Sequence, residues 1–254
     1  MHDMFDLSGN VALCTGGTSG LGRRMARALA CGGADVALVG RRKSLLDDAA
    51  AEIADVSDRK VVGIEADLND RSSIAPVVAQ ANDLLATVTI LVNAAGINLR
   101  EPANDITWES WDRTINLNLT VPFFLARECV PGMKRGGRGK IINIASLQSY
   151  RAFANSVPYG ASKGGIAQLT RAMAEAWSAD GILANEIAPG FFETELTAAV
   201  YEDQSKVEHN ARMTAIGRNG LPEDIDGLTV FLASKASDYI TGQVIPLDGG
   251  FTAK

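Results

Sequence analysis

The sequence predicts an α/β fold in one domain spanning residues 1–254: a doubly wound parallel sheet of about seven strands with helices on both faces. Short apolar, β-branched runs alternate with longer helical patterns, which is how parallel strands joined by crossover helices read. Several of the runs are apolar throughout, as strands covered on both faces must be. No linker, repeat or low-complexity segment divides the chain, and one α/β domain of this length is ordinary. Strands are expected at residues 11–15, 35–39, 61–66, 90–93, 140–145, 183–188 and 243–247, and helices at 21–31, 44–55, 72–85, 108–133, 159–177 and 222–233.

The first strand runs into Thr15-Gly16-Gly17-Thr18-Ser19-Gly20-Leu21-Gly22 and then a helix. Glycines let a backbone approach a pyrophosphate, and the helix N-terminus that follows favours its charge. The spacing from Gly16 is G-x-x-x-G-x-G, not the G-x-G-x-x-G of the standard dinucleotide fingerprint. By itself such a turn is weak evidence, and after the first strand of an alternating pattern it is strong. The second strand ends in Val39-Gly40-Arg41-Arg42. Binding NAD calls for an acidic side chain near here, to hold the ribose 2′-hydroxyl. Glycine and two arginines stand there instead, and guanidinium groups suit a 2′-phosphate. NADP(H) is therefore expected in preference to NAD(H), with NAD still admissible.

After the fourth strand comes a long non-repetitive stretch, 96–107, and after the sixth another, 189–206. Loops of that size in a compact domain usually carry function. Both leave the C-terminal ends of strands, where doubly wound sheets bind ligands. Trp108 and Trp111 open the next helix and are read as packing residues. The fifth strand delivers Ser146. Thirteen residues on, Tyr159 and Lys163 follow Pro158 in PYGASKGG. Residues i and i+4 share a helix face, so the Lys163 ammonium is expected near the Tyr159 phenol. A free phenol titrates near pH ~10, and a neighbouring cation lowers that value. Such a tyrosine can pass a proton to or from an alcohol oxygen, with Ser146 hydrogen-bonding the same oxygen.

The chain carries 46% hydrophobic residues, enough for a substantial core, and a net charge of −6 with no long basic run. That balance argues against nucleic acid as a partner. The three cysteines, Cys14, Cys31 and Cys129, give no disulfide framework and no C-x-x-C motif. Cys14, inside an apolar run, reads as a small core residue. The start of the chain lacks a signal-peptide core, and no apolar run approaches the ~20 residues of a membrane span. A cytoplasmic protein with a small-molecule substrate and no membrane partner is expected. His2 and His209 have no metal-ligand spacing, so no metal is predicted. His209, in the polar stretch 205–211, is expected to face solvent.

Together these residues resemble the short-chain dehydrogenase/reductase family over nearly the whole chain. The resemblance implies that Gly16, Thr18, Ser19, Gly20, Leu21 and Gly22 hold the cofactor, with Arg41 and Arg42 beside it. Asp67, followed by Leu68 in EADL, matches the position that contacts adenine. Asn93-Ala94-Ala95-Gly96 resembles the family's Asn-Asn-Ala-Gly motif, with Ala94 in place of the second asparagine. Asn118, in INLNLT, matches the asparagine that completes a catalytic tetrad with Ser146, Tyr159 and Lys163, where it would position a water beside Lys163. Pro189, Gly190, Phe192 and Thr194 fall in the segment that closes over the nicotinamide.

Other runs, notably APGFFETELTAAVYED, resemble the sugar-acid dehydrogenases of that family, the group that includes gluconate 5-dehydrogenase (5-ketogluconate reductase). A sugar acid needs a cation for its carboxylate and several hydroxyl partners, and Asn98, Arg100, Gln148 and Arg151 are the loop candidates. Tyr150 and Phe153 depart from that group's pattern, which leaves room for a bulkier or less acidic substrate such as a polyol. Two other readings are an acyl-carrier-protein 3-oxoacyl reductase and a non-catalytic NADP-binding regulator. The family also implies a homotetramer.

Overall fold

The C-terminal ends of seven parallel strands form one edge of the molecule, and the loops leaving that edge build the site. The computed structural model describes residues 2–254; Met1 and the side chain of His2 lie outside the described residues. The strands are β1 (Val11–Thr15), β2 (Asp35–Gly40), β3 (Val61–Glu65), β4 (Ile90–Asn93), β5 (Gly139–Ile144), β6 (Ile182–Pro189) and β7 (Val244–Leu247). They pair in the order β3-β2-β1-β4-β5-β6-β7, and every pair is parallel. The order reverses between β1 and β4, a switch point that opens a crevice for a ligand.

The helices are α1 (His2–Phe5), α2 (Gly20–Cys31), α3 (Lys43–Ser57), α4 (Ile74–Leu84), α5 (Trp108–Ile115), α6 (Val121–Gly136), α7 (Val157–Trp177), α8 (Ala198–Tyr201), α9 (Gln204–Met213) and α10 (Asp226–Ala233). Met25, Leu29, Leu46, Ile53 and Leu232 of α2, α3 and α10 pack on Leu38 and Ile90 across one face of the sheet. Val77, Leu125 and Met173 of α4, α6 and α7 pack on Leu13, Leu91 and Ile141 across the other. Alternate residues of one strand enter opposite cores, which is why these strands read as continuous apolar runs. Cys14 is buried as expected, and burial pushes its thiol up to about 12.

The structure corrects the reading of 108–133 as one helix. A π-helical turn, Asn116–Thr120, separates α5 from α6, and the Val121 N–H reaches back five residues to the Asn116 carbonyl. Pro122 is the physical reason: it has no N–H to return to the carbonyl four residues earlier, that of Asn118. Such π turns cluster at functional sites. Trp108 is corrected as well. It sits at the helix start at 85% exposure rather than packing, and Thr107 and Ser110 cap that start reciprocally. The long stretch 189–206 holds α8 and leads into α9, and 222–225 is a 3-10 turn ahead of α10. Among the described residues no helix is long and apolar enough to cross a membrane.

Candidate active site

The turn after β1 leaves no room for a side chain at Gly16 or Gly22. Gly16 has φ +67, and a Cβ there would stand 3.0 Å from the Ala95 backbone. A Cβ on Gly22 would stand 2.4 Å from the Gly16 carbonyl oxygen. Thr18 packs against Gly40, and Thr194 against Gly20, with Ser19 at the N-cap of α2. The Ser19 side chain makes no cap hydrogen bond, so the first N–H groups of α2 are free to face an anion. The Thr15 hydroxyl accepts from the N–H groups of Ala94 (3.0 Å) and Ala95 (3.1 Å) and donates to the Val92 carbonyl. It ties β1 to β4 at the switch point, where Ala94 offers no side-chain hydrogen bond.

The other expected cofactor residues follow the same edge of the sheet. Arg41 and Arg42 are exposed after β2, and Arg42 pairs with Glu195 at 3.2 Å. Asp67 is exposed after β3, while Leu68 is buried in the core. The Asn93 side chain is buried and donates to Asn143 Oδ1 at 2.8 Å. Gly96 lies against Asn118 Oδ1 and Lys163 Nζ, its notional Cβ 3.2 and 4.0 Å away.

Leu21, Ser146, Tyr159, Pro189, Gly190, Phe192 and Thr194 all line one cavity of about 670 Å³, a volume suited to a small-molecule ligand. Tyr159 and Lys163 are both buried in α7. Lys163 Nζ lies 5.5 Å from the Tyr159 ring centroid and donates to the Ile144 carbonyl at 2.6 Å. Burial pushes the Lys163 ammonium down to about 8, with Glu186 holding it up. The phenol differs from expectation: burial pushes it above its ordinary value, opposed by the Ser146 hydroxyl and Arg100. Desolvation outweighs the neighbouring charges for so deeply set a hydroxyl. Asn118, in the π turn, accepts from the Ile97 N–H and donates to the Ile97 carbonyl, both at 2.9 Å, and also donates to Ser162 Oγ at 3.1 Å. It therefore clamps the strand-end loop to α7.

Of the four substrate candidates, Asn98, Arg100 and Gln148 line the cavity and Arg151 does not. Arg151 stacks over Phe251, 5.3 Å from its centroid, and donates to the Lys254 carbonyl. Arg100 reaches the Leu196 carbonyl across the cavity mouth at 3.4 Å. Sequence reasoning read 205–211 as a polar helical stretch facing solvent and missed its part in the site: Lys206, His209, Asn210 and Arg212 of α9 line the same cavity. A polar helix two turns beyond a functional loop was the available signal. Phe153 also lines the cavity, edge-on to Phe191 at 6.2 Å, whereas Tyr150 stands at a separate polar pocket with Arg171 and Gln243.

A family profile described as enoyl-(acyl carrier protein) reductase matches residues 16–252. Gluconate 5-dehydrogenase of Gluconobacter oxydans is 37% identical over 98% of this chain and 97% of its own. The 2-dehydro-3-deoxy-D-gluconate 5-dehydrogenase of Bacillus subtilis is 37% identical over 100% and 99%. A crystal structure of a gluconate 5-dehydrogenase from Burkholderia cenocepacia, in complex with NADP and tartrate, superposes with a TM-score of 0.94 at 34% identity, covering 100% of this chain and 99% of that one. With matches of this extent on a seven-stranded parallel sheet, the chain belongs to the short-chain dehydrogenase/reductase family of oxidoreductases.

Proposed function

We propose that this chain, acting as one NAD(P)-binding domain, interconverts a ketone and a secondary alcohol of a sugar acid or polyol, with NADP(H) preferred over NAD(H). The observation that carries the reading is the opening of Ser146 and Tyr159 onto one cavity, with the Lys163 ammonium behind the tyrosine ring. The Gly16–Gly22 turn suits a dinucleotide because it presents backbone where a Cβ would collide. Arg41 and Arg42 suit its 2′-phosphate. When bound, the nicotinamide supplies or accepts the hydride.

In the reducing direction the Tyr159 phenol gives its proton to the carbonyl oxygen, and the Ser146 hydroxyl donates a hydrogen bond to the same oxygen as charge develops there. A phenol kept protonated by burial is the form this direction needs. In the oxidising direction the phenolate takes the alcohol proton, so that rate rises with pH. Lys163 stabilises the phenolate and orients the cofactor, and Asn118 fixes the loop beside them. Relatives named for gluconate, its deoxy-keto derivatives and galactitol support a polyhydroxylated substrate. Tartrate, itself a hydroxy acid, in the Burkholderia cenocepacia relative supports an acidic one. For that acid, Arg100 and the α9 cations are the available partners.

The family profile's description favours a second reading, an acyl-carrier-protein substrate. A screen of hexonates, ketohexonates, polyols and a 3-oxoacyl thioester with NADP(H) and NAD(H), read by nicotinamide absorbance, separates the two. Turnover of a hexonate or polyol is expected. NADPH binding without turnover of any of them would leave only a regulator. A homotetramer belongs to the same proposal: Ala161 and Gly164 form an exposed small-residue stripe on α7, and nothing lies within 4 Å of a Cβ added at Gly164. Light scattering tests it.

A further inference from the structure

β6 is a strand packed on both faces, yet it carries an acid in its middle, Glu186, at 0% exposure. Its Oε2 accepts from Thr170 Oγ1 at 3.1 Å, and its Oε1 is buried with no partner. A buried acceptor left unpaired carries the full desolvation cost of that group, so a carboxylate here needs a reason that a valine would not supply. Thr170 also accepts from Asn143 Nδ2 at 2.8 Å, and Asn143 Oδ1 accepts from Asn93. A line of buried polar groups thus runs across β4, β5, α7 and β6, directly behind the site.

Lys163 lies on the same α7 stripe as Thr170, two turns nearer the cavity. Its ammonium is held by the Ile144 carbonyl, and Ile144 follows Asn143, the register partner of Glu186. Cation and acid are therefore enclosed between α7 and the β5–β6 pair. The titratable groups facing Glu186 are Lys163 and Arg171 of α7 and Tyr150 from the turn after β5. Tyr159 faces Lys163. Arg171 and Tyr150 are exposed, and water screens them. Lys163 is buried like Glu186 itself.

We propose that Glu186 is a positioning residue for the reaction: its carboxylate is the buried counter-charge that keeps Lys163 an ammonium beside Tyr159. Burial drives both partners toward neutrality, raising the acid to about 7 and lowering the lysine to about 8, while each charge opposes the other's loss. Above neutral pH the acid is ionised just where the lysine would otherwise lose its proton. The inference rests on the reading of Tyr159 and Lys163 given under Proposed function.

The test is the pH profile of ketone reduction by the full chain with NADPH. Glu186→Gln keeps an acceptor for Thr170 and removes the charge alone, so a merely structural role would leave the profile in place. The alkaline fall of kcat/KM is expected about one pH unit lower than in wild type, and a coincident limb overturns the proposal. A second measurement needs neither a Glu186 variant nor turnover: melting temperature against pH for wild type and Lys163→Met. An acid whose folded pKa is raised loses stability as pH climbs from its unfolded value to its folded one. Without the lysine that folded value rises further. Lys163→Met should therefore go on losing stability between about pH 7 and 8, where wild type levels off. Parallel profiles would remove the coupling between the two charges. An active Tyr159→Phe enzyme would instead remove the catalytic reading and leave the melting result standing.

Discussion

The β1–β4 end of the crevice is built from backbone, and the β5–β7 end from side chains. At the first, Gly16 and Gly22 meet at distances no Cβ tolerates, and Thr15 stitches two strands together through N–H groups. At the second, Ser146, Tyr159 and the polar face of α9 converge from separate segments onto one cavity, which Arg100 joins from the loop after β4. A backbone cradle accepts any ligand with a pyrophosphate, whatever the rest of the ligand looks like. A side-chain cavity is remade by a few substitutions, so the proposed function places chemistry and substrate choice at that end.

Removing the Tyr159 hydroxyl is the sharpest way to break this division. Tyr159→Phe should lower kcat for ketone reduction by roughly 10²–10⁴-fold, the range for a general acid. NADPH affinity, measured by fluorescence titration, should stay within about twofold, because the cradle is untouched. A parallel loss of both would mean that the two ends are not separable.

What was legible in the sequence follows the same line. The glycine turn and the Tyr159–Lys163 pair are local: a few adjacent residues fix their geometry through helix and turn rules. The π turn at Asn118 was readable in principle from Pro122, which removes a helical N–H. Glu186 was readable as a charge in a strand expected to be packed on both faces. For α9 the sequence signalled only a polar helix, because its place at the cavity depends on how 190–213 folds back. Arg100 and Arg151 looked alike in sequence, and only the path of the backbone sends one to the cavity mouth and the other onto Phe251.

Arg41 and Arg42 sharpen the comparison from the cofactor side, as the side chains in an otherwise backbone-built half. Replacing both by alanine should lower kcat/KM for NADPH roughly tenfold or more, since a hydrogen bond to a charged group contributes about 1.5–3 kcal/mol. NADH kinetics should be nearly unchanged. Arg42 also holds Glu195 of the loop that crosses the cavity. If the pair mattered mainly as a latch on that loop, both cofactors would suffer alike.

On the substrate side the expected effects are smaller. His209 and Arg212 are exposed at the cavity wall, and exposed ion pairs contribute about 0.2–1 kcal/mol. Arg212→Ala should raise KM for an acidic substrate about two- to fivefold, with kcat and the KM of a neutral polyol unchanged. An equal effect on acid and polyol would show that α9 shapes the cavity rather than reading charge.

The smallest effect is expected at Arg151, a loop arginine that the fold directs away from the cavity. Its guanidinium stacks on Phe251 and reaches the Lys254 carbonyl, contacts that tie the C-terminal segment to the turn after β5. Arg151→Ala should cost about 0.5–1 kcal/mol of stability, the usual range for an exposed cation–π contact, and leave KM for an acidic substrate where it was. Chemical denaturation and steady-state kinetics read the two quantities separately. A raised KM with unchanged stability would return Arg151 to the substrate and extend the side-chain half of the crevice beyond the cavity described here.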